Sequence, residues 1–97
     1  EKQYGDLFEE KLKGKYLPYK RELRIGTSGN VLDFVVDNKI ALEFKAKRTL
    51  VKDDYYQVQR YLQESGLRLC LLVNFRNKDI KPVRIVRVDG VIRDGLH

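Results

Sequence analysis

The chain has 97 residues, of which 42% are hydrophobic and 35% charged, with a formal net charge of +6. A chain of this length is expected to form one domain over residues 1–97, and its charge favours polyanionic partners. No apolar run is long enough for a transmembrane helix, no signal peptide is evident, and one cysteine and one histidine exclude a disulfide scaffold and a His-rich metal site. We therefore expect a protein of the reducing cytoplasm with no membrane partner.

In chain order the residue pattern predicts a helix, three strands, a second helix and two further strands. The predicted ranges are 2–16, 19–25, 31–36, 40–46, 53–65, 67–75 and 83–88. Asp53 or Asp54 is expected to cap the second helix, which stops at Gly66. The step from the third strand through this helix to the fourth strand implies a parallel crossover. The order α-β-β-β-α-β-β thus predicts an α/β architecture with a mixed central sheet flanked by helices.

Segments 31–36 and 40–46 alternate with a period of two, which is typical of strands. One face of the pair is expected to carry the large apolar side chains, namely Leu32, Phe34, Val36, Ile40, Leu42, Phe44 and Ala46. The other face carries Asp33, Glu43 and Lys45. Pairing Val36 with Ile40 across a turn at Asp37-Asn38-Lys39 keeps the apolar residues together on one face.

The same register places Asp33 opposite Glu43, at a distance of about 5 Å between Cβ atoms. Two adjacent carboxylates repel each other unless a cation lies between them, and oxygen ligands suit Mg²⁺ or Mn²⁺. Lys45 points to the same face, where it can polarise a water or stabilise charge on a phosphate. These residues alone also allow a solvated strand face on which Lys45 forms a salt bridge with one acid.

Asp33 followed by Glu43-Phe44-Lys45 at the end of the next strand resembles the core signature of the PD-(D/E)xK nuclease superfamily. The chain is most similar to the small bacterial GxxExxY branch. The supporting stretches are 32–36, 41–47, 56–62 and 71–75. The resemblance implies a restriction-endonuclease-like fold. It also implies a nuclease that hydrolyses phosphodiester bonds and leaves a 5′-phosphate, with DNA as the first and RNA as the second choice of substrate.

The resemblance also implies roles for the individual site residues. Asp33, Glu43 and the backbone carbonyl of Phe44 would ligate Mg²⁺ or Mn²⁺, and Lys45 would orient the attacking water. Gln57-x-x-x-Tyr61 resembles the helical motif of RecB-type nucleases. The two residues share a helical face and would complete the pocket, although the pattern alone also allows Tyr61 to be a core residue.

The first helix departs from the branch's Gly-x-x-Glu-x-x-Tyr motif, because Gly5 is followed three residues later by Phe8. The acids of this helix are Glu9 and Glu10. The helical face shared by Tyr4, Phe8 and Leu12 favours Glu9 as the acid that reaches the site. The family's usual residue run favours Glu10 instead, so both remain candidates.

Basic residues lie in the first quarter of the chain and directly after the site, where phosphate contacts are expected. The predicted nucleic-acid contacts are Lys20, Arg21, Lys47, Arg48 and Tyr61. Asn74, at the end of its strand, is a candidate for the rim of the site, although the pattern favours a strand-end hydrogen bond. A homodimer would complete a substrate groove. The rival interpretation is a module that binds nucleic acid on the same fold with little or no catalysis.

Overall fold

The computed structural model describes residues 2–76 and 78–89. Its elements are α1 (Lys2–Gly14), β1 (Tyr19–Arg24), β2 (Val31–Val36), β3 (Ile40–Lys45), α2 (Lys52–Ser65), β4 (Leu69–Asn74) and β5 (Val83–Val86). This is the predicted order. Among the described residues, no helix has the length and apolar composition that crossing a bilayer requires.

The five strands form one mixed sheet in the order β1-β2-β3-β4-β5. Neighbouring strands are antiparallel except for β3 and β4, which are parallel because α2 returns the chain to the starting edge of the sheet. The predicted α/β architecture is therefore confirmed.

The hairpin between β2 and β3 has the predicted register, with Val36 paired to Ile40 and Phe34 to Leu42. Asp37 and Asn38 adopt φ values of 55° and 53°. Asp and Asn tolerate this left-handed conformation better than most residues, which explains why the turn forms here. The turn lies at the opposite end of these strands from Asp33 and Lys45.

Each face of the sheet carries its own hydrophobic core, one beneath α1 and the other beneath α2. The α1 core contains Leu12, Phe34, Leu42, Phe44 and Val73. The α2 core contains Ile25, Leu32, Val35, Ala41, Val58, Leu62, Cys70, Leu72 and Ile85. Both faces of β2 and β3 are thus covered, and the acids lie between two packed layers rather than on an open surface.

The prediction that Leu32 shares a face with Phe34 is wrong. Leu32 packs in the α2 core, whereas Phe34 packs beneath α1. The alternation of side chains in β2 therefore breaks between Leu32 and Phe34. At this point Glu22 and Asp33 are missing from the pairing of β1 with β2, and Glu22 has a φ of 54°. A residue with positive φ turns the local backbone of β1, so the regular pairing of β1 with β2 is interrupted opposite Asp33.

The start of α2 also differs from the prediction, because its N-cap is Val51 rather than Asp53 or Asp54. Asp54 lies inside the first turn, and its carboxylate accepts the Val51 N–H at 2.7 Å. The Val51 N–H has no backbone acceptor within the helix, and the Asp54 carboxylate in the first turn takes that role. The predicted end is confirmed, since Gly66 adopts the left-handed conformation with φ 79°.

Candidate active site

Asp33 and Glu43 are joined by crossing hydrogen bonds where β2 begins and β3 ends. The regular ladder of the two strands stops at the Phe34–Leu42 pair. Beyond it, the Asp33 N–H donates to Glu43 Oε1 at 2.9 Å, and the Phe44 N–H donates to Asp33 Oδ2 at 2.7 Å. Each carboxylate is therefore fixed by the backbone of the opposite strand. The predicted proximity of the two acids is present in the structure.

Glu43 lies deep on the α2 side of the sheet, where its residue is only 5% exposed. Burial, followed by the negative charge of Glu43, raises the pKa of Cys70 to about 12. The same two causes, in that order, raise the pKa of Tyr61. Both groups therefore keep their protons at neutral pH.

Lys45 supplies the positive charge of the site. It is the last residue of β3, and its Nζ donates to Gln57 Oε1 of α2 at 2.9 Å. An ammonium has three donors, so one N–H is directed to the amide oxygen and the group acquires a defined orientation. The structure thus brings together Asp33, Glu43, Lys45 and Gln57, which the sequence predicted as one site.

A cavity of about 230 Å³ opens between α1 and the sheet beside Asp33. The residues that line it come from four elements and are Lys2, Gly5, Arg21, Glu22, Asp33, Phe34 and Phe44. Asp33 therefore contacts an accessible space on the α1 side, whereas Glu43 is enclosed beneath α2. The prediction that both acids share one face of the sheet is therefore wrong. Glu22 was not predicted at this site, and nothing in the alternating pattern of β1 distinguishes it from a surface residue.

The two candidate acids of α1 have different surroundings. Glu9 Oε2 accepts the Tyr19 hydroxyl at 2.8 Å, and Glu9 Oε1 accepts Arg21 Nη1 at 3.1 Å. The Tyr19 hydrogen bond, opposed by burial and assisted by Arg21, holds the pKa of Glu9 below its usual value. The Glu10 side chain is exposed. Glu9 thus faces β1, and its carboxylate interacts with Tyr19 and Arg21.

The predicted nucleic-acid contacts fall into two groups. Lys20 and Arg48 are exposed. Arg21 Nη1 lies 2.7 Å from Asp6 Oδ1, and Lys47 Nζ lies 2.9 Å from Asp54 Oδ2, so both cations already have acidic partners.

Tyr61 is half-buried and packs against the α2 core. Its contact environment matches the alternative that the sequence left open, in which this side chain belongs to the core.

The donor set of the site suits a hard divalent cation. Asp33 and Glu43 offer only carboxylate oxygens, the ligand type that Mg²⁺ and Mn²⁺ prefer. Within residues 2–76 and 78–89, no cluster of three or more His, Cys, Asp or Glu side chains could hold a metal. A cation at this pair would therefore take its remaining ligands from backbone carbonyls, water or a substrate phosphate, as Mg²⁺ commonly does.

Comparisons with known proteins identify a sequence family and solved structures that this chain resembles. The sequence model of the PD-(D/E)XK nuclease superfamily matches residues 1–88. A solved structure described as SSO0001 is 23% identical with a TM-score of 0.67, over 89% of this chain and 50% of that one. An alkaline exonuclease, LHK-Exo from Laribacter hongkongensis, is 16% identical with a TM-score of 0.53, over 82% of this chain and 52% of that one.

At these identities the two structures share the fold with this chain, which spans about half the length of each. A search of the curated proteins found no match. The superfamily model, in contrast, covers every element from α1 to β5 and includes the strands that carry Asp33, Glu43 and Lys45. With its mixed five-stranded sheet and flanking helices, the chain therefore belongs to the PD-(D/E)XK nuclease superfamily and has its restriction-endonuclease-like fold.

Proposed function

We propose that this chain is a divalent-metal-dependent nuclease that hydrolyses DNA phosphodiesters, with RNA as the less favoured substrate, and leaves a 5′-phosphate. The observation that carries the proposal is the pair of crossing hydrogen bonds, at 2.9 and 2.7 Å, that holds Asp33 beside Glu43 next to Lys45. Membership of a nuclease superfamily supports the reaction class.

Asp33, Glu43 and the backbone carbonyl of Phe44 are the residues that would hold Mg²⁺ or Mn²⁺. When bound, the cation supplies a Lewis acid beside the scissile phosphate. The protein's own contribution is to hold two like charges together with backbone N–H groups before any substrate arrives. This preorganisation matters because the carboxylates need not rearrange during the reaction.

Lys45 and Gln57 are the candidates for positioning the attacking water and stabilising charge on the phosphate. Gln57 Oε1 accepts one N–H of Lys45, which fixes the direction of the ammonium's remaining donors. Glu9 or Glu10 would add a further contact to the metal or the water. The likeness to the GxxExxY branch and to the RecB-type Gln-x-x-x-Tyr motif remains part of this proposal.

Substrate binding would depend on the basic residues around the site. Lys20 and Arg48 are exposed and can contact phosphates without losing another partner. Arg21, Lys47 and Tyr61 would first have to give up the contacts described above. A second copy of the chain would extend the groove, which makes a homodimer part of the proposal.

The test is a cleavage assay on single-stranded, duplex, flapped and branched DNA, with matched RNA, in Mg²⁺, Mn²⁺ or EDTA. Asp33→Asn and Lys45→Ala should each lower the cleavage rate at least about 100-fold, since each removes a charge that acts in the transition state. Lys39→Ala is the control, because the Lys39 side chain lies exposed in the distant turn, where it forms an ion pair with Asp37. Cleavage by Lys45→Ala at the wild-type rate would refute the assignment.

The rival function is a nucleic-acid-binding module with little turnover. One observation favours it, namely the net charge of +6, which attracts nucleic acid whether or not the protein cleaves it. Titration with Mg²⁺ separates the two functions. A nuclease should bind the cation and lose that binding in Asp33→Asn, whereas a module without catalysis has no need of the metal.

A further inference from the structure

Lys47 lies in the segment between β3 and α2, and one side-chain amide binds both of its backbone groups. The Lys47 N–H donates to Asn74 Oδ1 at 3.0 Å, and Asn74 Nδ2 donates to the Lys47 carbonyl at 2.8 Å. The preceding hydrogen bond between the two chain segments is a backbone one, in which the Phe75 N–H donates to the Lys45 carbonyl at 2.8 Å. Asn74 therefore extends the contact of the two strands by two residues beyond Lys45 and confirms the predicted strand-end hydrogen bond.

The Lys47 side chain extends this contact to α2. Its Nζ lies 3.0 and 2.9 Å from the two carboxylate oxygens of Asp54, whose side chain is only 7% exposed. Burial raises the pKa of Asp54, but the Val51 N–H and the Lys47 ammonium outweigh it, so the pKa lies below its usual value. The charge of Lys47 is therefore used to neutralise a buried carboxylate in the first turn of α2.

The contact between Lys47 and Asp54 runs beside the contact between Lys45 and Gln57. Lys45 and Lys47 are two residues apart, and Asp54 and Gln57 are three apart on one face of α2. Both pairs thus join the same two segments. Because a helix is stiff over one turn, fixing Asp54 also fixes where Gln57 lies relative to Lys45.

We propose that Asn74, Lys47 and Asp54 are positioning residues that set the hydrogen bond between Lys45 and Gln57. The proposal rests on the proposed function of the site and changes the role of Lys47 from nucleic-acid contact to internal support. For Lys47 to bind a phosphate instead, it would have to leave the buried carboxylate of Asp54 without its counter-charge, which is unfavourable. Nucleic-acid contact next to the site then falls to Arg48, whose side chain is exposed.

The kinetic test is to compare kcat and KM for Asn74→Ala and Lys47→Met on the substrate that the wild type cleaves. Each variant should lower kcat about 10- to 100-fold and leave KM within about twofold, because a displaced Lys45 slows the reaction without weakening binding. Lys47→Arg should keep most of the rate, since arginine can form the same paired contact with a carboxylate. A raised KM with unchanged kcat would overturn the proposal.

A double-mutant cycle tests whether Asn74 acts through Gln57. If it does, adding Asn74→Ala to Gln57→Ala should cause little further loss of kcat. Losses that multiply would mean that the two residues act independently. Asn38→Ala is the matched control, because it places alanine at a positive φ in the distant turn and should destabilise the fold without slowing cleavage.

A measurement without substrate separates this proposal from the proposed function. The ¹³Cε signal of Lys45, observed by NMR, reports on the surroundings of its ammonium. Asn74→Ala should move this signal toward its position in Gln57→Ala, whether or not the protein cleaves DNA. An unmoved signal would overturn the positioning role, whereas a moved signal in a protein that cleaves nothing would support it and refute the nuclease.

Discussion

Asp33 is joined to Glu43 and Phe44 at a point where the neighbouring strand is distorted. The pairing of β1 with β2 omits Glu22 and Asp33, and Glu22 has φ 54° in the middle of β1. A residue other than glycine is held in this conformation at a cost of about 1–2 kcal/mol. The distortion lies beside the cavity that Asp33 lines, so the strain is stored next to the candidate site.

Replacing Glu22 with glycine should relieve this strain. Because glycine adopts positive φ at little cost, Glu22→Gly should raise the free energy of unfolding by about 1 kcal/mol, even though glycine also makes the unfolded chain more flexible. Urea denaturation at neutral pH measures the change. The control is Glu10→Gly in α1, which should lower stability by about 1 kcal/mol. A loss of stability in both variants would show that Glu22 is not strained.

At the scale of elements, α2 joins the site to the rest of the sheet. Gln57 contacts Lys45 of β3, while Gln59 donates to the Val86 carbonyl at 2.7 Å and accepts the Val88 N–H at 3.0 Å. The helix is thereby hydrogen-bonded to β3 through Gln57, and to β5 and the residues just after it through Gln59. The position of its first turn, fixed by Asp54, decides how these contacts align.

Asp54 makes the stability of the α2 start depend on pH. Its lowered pKa means that its contribution is fully present above the unfolded-state value of about 3.9 and is lost as the pH falls through the lower folded-state value. Asp54→Asn should therefore cost about 2 kcal/mol at pH 7 and progressively less as the solution is acidified below pH 4. Urea denaturation of both proteins between pH 7 and 2 gives the difference.

The neighbouring acid provides the comparison for this experiment. Asp53 lies in the same helical turn but is exposed, so Asp53→Asn should change stability little at any of these pH values. A destabilisation by Asp54→Asn that stays constant down to pH 2 would show that the lost interaction does not involve the charged carboxylate.

For the whole molecule, the 20 lysines and arginines are not equally available to nucleic acid. Arg21 is paired with Asp6 and Glu9, and Lys47 with Asp54. Lys20 and Arg48 lie exposed on two different parts of the molecule, the edge strand β1 and the segment after β3. The folded protein thus neutralises some of its cations internally and leaves others exposed.

This distinction predicts how binding depends on salt. Each phosphate contact contributes about 0.9 to the slope of log K against log salt for duplex DNA. Lys20→Ala and Arg48→Ala should each reduce the slope by about one, whereas Lys47→Ala should leave it unchanged. Fluorescence anisotropy of a labelled duplex in EDTA provides the affinities without cleavage. A reduced slope for Lys47→Ala would place this residue on the nucleic acid.

The sequence by itself determined the order of the elements, the hairpin register and the proximity of Asp33 to Glu43. These features follow from local rules, because alternation fixes which face a strand buries and Asp-Asn permits the tight turn. The sequence also predicted the helix that carries Gln57 and Tyr61, and its end at Gly66. The resemblance placed Gln57 at the pocket, and in the structure its side chain accepts a hydrogen bond from Lys45.

Only the tertiary structure decided which charged residues are available and which are paired. Lys47 and Arg21 look like surface cations in the sequence, and their acidic partners come from another element in each case. The positive φ of Glu22 and the position of Leu32 in the α2 core also left no local signal. Such features depend on contacts between distant segments, so neither composition nor periodicity can show them.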